Sequence, residues 1–230
     1  MKNCLFGVLP VSYGGVVAMR KATLALVLIC FGASGSAAEP MRVLAFGDSL
    51  TQGYGLMEQD GLVPQLQGWM RARGADVIMV NAGVSGDTTA GGAARIGWSL
   101  SPDIKAVMVA LGGNDMLRGL PPEDAKANLT KVIETAQAAK IPVLLVGMQA
   151  PGNYGETYKE AFEGIYADLA EAYGTLYEPN FLSALGETPT EALAWMQSDG
   201  VHPNEAGVGK IVEVLGPRLL ELVAAARNDE

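Results

Sequence analysis

The chain has 230 residues, with 16 Lys+Arg against 25 Asp+Glu, a single histidine and two cysteines. Three of the cations (Lys2, Arg20, Lys21) and none of the acids fall in residues 1–38, so the remaining 192 residues carry a net charge of −12. That surface repels phosphate backbones and argues against nucleic acid as a partner. Both cysteines, Cys4 and Cys30, also fall in the first 38 residues, which leaves the rest without a disulfide or a thiolate metal site.

Residues 1–38 read as a secretory signal peptide. Arg20-Lys21 precedes an apolar run over 22–32, and small residues follow through Gly35-Ser36-Ala37-Ala38. A positive patch, a short apolar stretch and a small-residue site form the signature of export. The run is too short for a membrane span, which needs about 20 residues. Cleavage is expected after Ala38, and Met19 is an alternative start. Leu28-Ile29 lack the small residue that precedes a lipidated cysteine, so Cys30 is not expected to carry a lipid. The product is expected in the periplasm or outside the cell, with no stable membrane anchor. Residues 39–230 are long enough for one domain with a substantial core.

Along that domain, short apolar runs alternate with stretches of helical period. Runs over 42–46, 77–80, 106–111 and 142–147, and a weaker one over 175–177, are apolar at consecutive positions, as strands buried on both faces are. Helical period appears over 62–73, 122–139, 157–173 and 204–226. The second of these opens on Pro121-Pro122-Glu123-Asp124, and Asn204 is placed to cap the last. The alternation predicts an α/β three-layer sandwich: a flavodoxin-like, parallel, five-stranded sheet with helices on both faces.

Ligands of such sheets bind beyond the carboxyl ends of the strands. The segments found there are Gly47-Asp48-Ser49-Leu50-Thr51, Asn81 to Asp87, Gly112-Gly113-Asn114-Asp115 and Met148-Gln149-Ala150-Pro151. These polar and glycine-rich segments all fall at one edge of the expected sheet.

His202 is the only histidine and the natural base for nucleophilic catalysis near neutral pH. Asp199 lies three residues earlier across Gly200, within reach of the imidazole Nδ1–H. Ser49 follows a buried strand, where it is either an exposed nucleophile or a helix N-cap. Acyl transfer also needs donors aimed at a developing oxyanion. Gly86 offers an unobstructed N–H and Asn114 a neutral NH₂, although each alone could be an ordinary turn residue.

Together these segments resemble a known family. Gly47-Asp48-Ser49-Leu50, the glycine of Ser85-Gly86-Asp87, the asparagine of Gly113-Asn114-Asp115, and Asp199-Gly200-Val201-His202-Pro203 match, in order, the blocks of the SGNH (GDSL) hydrolases. The likeness is greatest to the bacterial arylesterase, thioesterase and lysophospholipase subgroup. The resemblance implies Ser49 as nucleophile, His202 as base and then acid, and Asp199 as its orienting partner. It also implies an oxyanion hole from the Ser49 N–H, the Gly86 N–H and the Asn114 side chain, with no metal and no cofactor. Asp48 and Asp115 are expected to hold loops by accepting backbone amides. Met116, Leu117, Met148, Tyr154 and Tyr158 are placed either to line an acyl channel or to pack the core.

No phosphate-binding Gly-x-x-x-x-Gly-Lys-Ser/Thr run occurs, and Gly112-Gly113 lacks the spacing of a dinucleotide loop. The expected activity is hydrolysis of short- to medium-chain acyl or aryl esters, extending to thioesters and lysophospholipids. A carbohydrate O-deacetylase is the alternative, because the same catalytic groups would serve it. A non-catalytic binding module would be expected to have lost one of Ser49, Gly86, Asn114, Asp199 and His202, and none is missing.

Overall fold

Five parallel strands lie in the order β2-β1-β3-β4-β5: β1 Met41–Gly47, β2 Val77–Gly83, β3 Ile104–Ala110, β4 Val143–Val146 and β5 Leu176–Glu178. The computed structural model describes residues 39–228 and the isolated Gly7, so the expected signal peptide lies, apart from that glycine, outside the described residues. The strand order is the flavodoxin-like one expected from the alternation. All five expected runs form strands. The second runs on through Asn81 and Ala82 to Gly83, because its pairing with β1 continues as far as Gly47↔Gly83.

The helices are α1 Ser49–Gln52, α2 Leu62–Ala72, α3 Thr89–Ser99, α4 Gly113–Leu117, α5 Pro122–Ala138, α6 Glu156–Tyr173, α7 Pro189–Ala192 and α8 Glu205–Asn228. Helices α2 and α8 pack on each other, while α3 packs on α5 and α5 on α6. Crossovers of the usual right hand put α2 on one face of the sheet and α3, α5 and α6 on the other, and packing against α2 places α8 on the same face as α2. Core strands β3 and β4 bury Ala106 to Ala110 and Val143 to Val146 almost completely. Truncating a side chain such as Leu144 to alanine costs about 2–5 kcal/mol in a core of this kind.

The four helices expected from periodicity are present within one or two residues at each end. Helix α3 was not evident from periodicity: Gly91, Gly92 and Gly97 dilute its helix propensity. Two of these glycines, Gly91 and Gly92, answer to packing, whereas a Cβ on Gly97 would meet nothing. A Cβ on Gly92 would run into Leu111 and lie 3.3 Å from the Phe46 ring, and one on Gly91 would collide with the Asp87 carboxylate. The helix trades propensity for close approach to the site end of the sheet. Helix α8 makes a similar trade at Gly216-Pro217, where a Cβ on Gly216 would sit 2.5 Å from the Trp69 ring.

Candidate active site

Chain reversal at the end of β1 places Ser49. Gly47 ends the strand, Asp48 caps α1 by accepting the Leu50 N–H at 3.0 Å, and Ser49 is the first helical residue. The helix lies directly on the end of β2. A Cβ on Gly83 would be 2.7 Å from Gln52 Cα and 2.8 Å from the Asp48 carbonyl. Ser49 is 8% exposed and sits next to β1, between β2 and β3, where the strand order reverses direction.

His202 arrives from the segment before α8. Met196 and Pro203 form an antiparallel bridge, and Gln197 N–H donates to the His202 carbonyl at 2.7 Å. Gly200 turns this hairpin at φ 69°, a conformation that L side chains rarely adopt. The Gln197 amide donates to the Tyr54 carbonyl at 2.8 Å, tying the hairpin to the loop after α1. Asn204 caps the last helix as expected, accepting the Gly207 N–H at 2.9 Å.

These two segments bring three expected residues into one hydrogen-bonded chain. Ser49 Oγ lies 2.9 Å from His202 Nε2, and His202 Nδ1 lies 2.7 Å from Asp199 Oδ2. The other Asp199 oxygen accepts the Val201 and His202 backbone N–H groups. Those backbone donors, with the imidazole, hold the Asp199 carboxyl down at about 2. Tyr54 covers the imidazole, with ring centroids 4.6 Å apart.

Gly86 and Asn114 come to the same edge of the sheet without direct hydrogen bonds to that chain. Gly86 sits at φ 79° in a turn closed by Asp87 N–H donating to the Val84 carbonyl at 3.0 Å. The turn is anchored to the nucleophile strand by the Val84 N–H on the Gly47 carbonyl, also at 3.0 Å. Asn114 Nδ2 approaches Asp48 Oδ2 at 3.4 Å, so it is linked to the residue before Ser49. Burial pushes the Asp48 carboxyl up to about 6, against the lowering effect of the Leu50 N–H.

Asp48 and Asp115 both accept backbone amides, as expected. Asp115 takes the Thr89 N–H at 2.8 Å and the Thr89 hydroxyl at 2.6 Å. Gly112 and Gly113 are required by contact: a Cβ on the first would strike the Tyr166 hydroxyl, and one on the second would be 3.0 Å from Asp48 Oδ2.

The expected channel residues divide into two groups. Met148 is buried in the core, with Met116 and Tyr158 packed partly against it. Leu117 and Tyr154 are about half exposed, and the Tyr154 hydroxyl donates to the Leu117 carbonyl at 3.3 Å. A cleft of about 710 Å³ lies among residues 52–58, α2 and the end of β2; Tyr54, which covers His202, lines it, although none of the five site residues does. Sequence reasoning missed Tyr54, Asp87 and Arg95. For Arg95 a signal existed: it is the lone cation in a run of small and apolar residues.

Residues 45–209 match the model of the GDSL-like lipase/acylhydrolase family. The chain is 38% identical to esterase TesA of Pseudomonas aeruginosa, over 87% of this chain and 96% of that protein. It is 35% identical to thioesterase 1/protease 1/lysophospholipase L1 of Escherichia coli, over 87% of this chain and 91% of that one. The crystal structure of AlinE4, an SGNH-hydrolase family esterase, superposes with a TM-score of 0.67 at 43% identity, covering 81% of this chain and 98% of that one. The chain belongs to the GDSL (SGNH) hydrolase family and is an ester hydrolase.

Proposed function

We propose that this protein is a serine esterase working through an acyl-enzyme on Ser49. The observation that carries the proposal is the hydrogen-bonded chain from Asp199 through His202 to Ser49. With the Nδ1 proton held by Asp199, Nε2 of the neutral imidazole accepts the Ser49 proton as Oγ attacks the ester carbonyl. The tetrahedral oxyanion is received by the Ser49 N–H, the Gly86 N–H and the Asn114 NH₂. His202 then passes its proton to the departing alcohol or thiol, and the acyl group stays on Ser49. Water attacks with His202 again as base and releases the acid.

The proposed substrates are short- to medium-chain acyl or aryl esters, extending to thioesters and lysophospholipids. Half-exposed Leu117 and Tyr154 on the α4 side of the site favour an acyl chain over a bare acetyl group. Reaction with an alkyl phosphonate tests the nucleophile: mass spectrometry should find one adduct, on the peptide containing Ser49. An adduct on any other serine removes Ser49 from the role.

Export is part of the same proposal, resting on the signal-like composition of residues 1–38. Protein recovered from the cell envelope should begin near Glu39. Protein from the cytoplasm that begins at Met1 would contradict it.

A further inference from the structure

Helix α3 touches all three segments that carry the proposed oxyanion donors. Its only cation, Arg95, is 8% exposed and uses every arm of its guanidinium. Nε donates to Asp87 Oδ2 at 2.7 Å, Nη1 to the Ala82 carbonyl at 2.9 Å and Nη2 to the Gly47 carbonyl at 2.9 Å. The group also lies over the Phe46 ring, 3.9 Å from its centroid. Its three acceptors lie two residues before Ser49, four before Gly86 and one after Gly86. The Gly47 carbonyl is shared with the Val84 N–H, which opens the turn holding Gly86. At the start of the helix, Thr89 binds Asp115, the neighbour of Asn114.

We propose that Arg95 is a positioning residue for oxyanion stabilisation, fixing the Gly86 N–H relative to Ser49. The proposal rests on Ser49, Gly86 and Asn114 acting as described under the proposed function. A buried guanidinium is costly to desolvate, and apolar replacements of buried ion pairs are often no less stable. Fold stability alone is therefore a weak reason for a cation here. A planar fork with several donors sets the relative positions of its acceptors in a way that an ammonium does not. Those acceptors are the backbone on either side of the nucleophile and the oxyanion turn, where a shift of about 1 Å costs about a hundredfold in rate.

The test compares Arg95→Lys, which keeps charge without the fork, with Arg95→Met, which keeps packing against Phe46, and with Asp87→Asn. Each is assayed on p-nitrophenyl butyrate for kcat per titrated active site, for KM, for Tm and for inhibition by an alkylboronic acid. That inhibitor forms a tetrahedral adduct on a serine and places an oxygen in the oxyanion site. Both Arg95 variants should lose roughly tenfold to a hundredfold in kcat per titrated site, with KM changed less than about threefold. Boronate affinity should fall in step with kcat/KM, and Asp87→Asn should move both in the same direction by less.

A purely structural role would lower Tm and the number of titratable sites while leaving kcat per site and boronate affinity at the wild-type level; that result overturns the proposal. If neither Arg95 variant folds, Asp87→Asn decides by the same two readings. Ser49→Ala separates the two layers. Retained turnover in Ser49→Ala overturns both the proposed site and the role of Arg95. An inactive Ser49→Ala beside Arg95 and Asp87 variants of wild-type turnover overturns the role of Arg95 alone.

Discussion

Asp199 holds His202 at two points: Oδ1 accepts the backbone N–H of His202 at 3.0 Å, and Oδ2 pairs with its Nδ1 at 2.7 Å. The carboxylate therefore fixes both the backbone and the ring of the same residue. An amide in its place could keep the backbone bond, but would turn an NH₂ toward Nδ1 and favour the wrong tautomer. Asp199→Asn should lower kcat by about a hundredfold to ten-thousandfold with little change in KM. Steady-state kinetics on p-nitrophenyl butyrate checks this, and a loss under fivefold would remove Asp199 from the orienting role.

The same geometry sets the acid tolerance of the pair. The folded carboxyl sits at about 2, below the ordinary 3.8. A lowered value means that the stabilisation is present above the unfolded value and lost as pH falls through about 2. Asp199 should thus remain ionised from pH 4 upward. Carboxylate chemical shifts should show no change of the size of a full Asp199 protonation between pH 4 and 9, and such a change would contradict the lowered value.

Asp48 has the opposite sign. Burial raises its carboxyl from 3.8 to about 6. Its contribution is favourable below the unfolded value and is lost as pH rises through about 6. Ionised Asp48 then costs the fold about 3 kcal/mol at pH 7. Asn can keep the cap on the Leu50 N–H without the charge. The stability of Asp48→Asn relative to wild type should rise by about 2 kcal/mol between pH 4 and pH 7, as read by urea unfolding. A pH-independent difference would show that Asp48 does not titrate in that window.

Leu117 and Tyr154 present the exposed apolar surface on the α4 side of the site. Truncating either removes area that a longer acyl chain would cover and an acetyl group would not reach. Leu117→Ala and Tyr154→Ala should each lower kcat/KM for p-nitrophenyl octanoate about threefold to thirtyfold, while leaving the acetate within about twofold. Equal losses on both esters would place the acyl chain elsewhere.

The sheet could be read from sequence because its strands are buried on both faces, so unbroken apolar runs such as 106–111 and 142–147 mark them. The chain of Ser49, His202 and Asp199 was readable only in part: the single histidine and an aspartate a short turn away mark a base and its partner, but Ser49 alone reads equally as a helix N-cap, and its role as nucleophile is what the resemblance to the SGNH blocks implies. The support beneath them was less so. Helix α3 carries glycine at 92 because Phe46 and Leu111 leave no room for a Cβ there, contacts that local periodicity does not record. Arg95 meets Gly47 across 48 positions of sequence, and Tyr54 meets His202 across a gap about three times as long; both contacts appear only once the strand ends converge.

The role of Ser49 as nucleophile is tested most directly by hydrolysis of p-nitrophenyl acetate, butyrate, octanoate and palmitate by the wild type and by Ser49→Ala at equal folded concentration. The wild type should turn over at least the acetate and butyrate, and Ser49→Ala should lose at least about a thousandfold on every ester the wild type hydrolyses. Full activity in Ser49→Ala, or a folded wild type inactive on all four esters, would contradict that role.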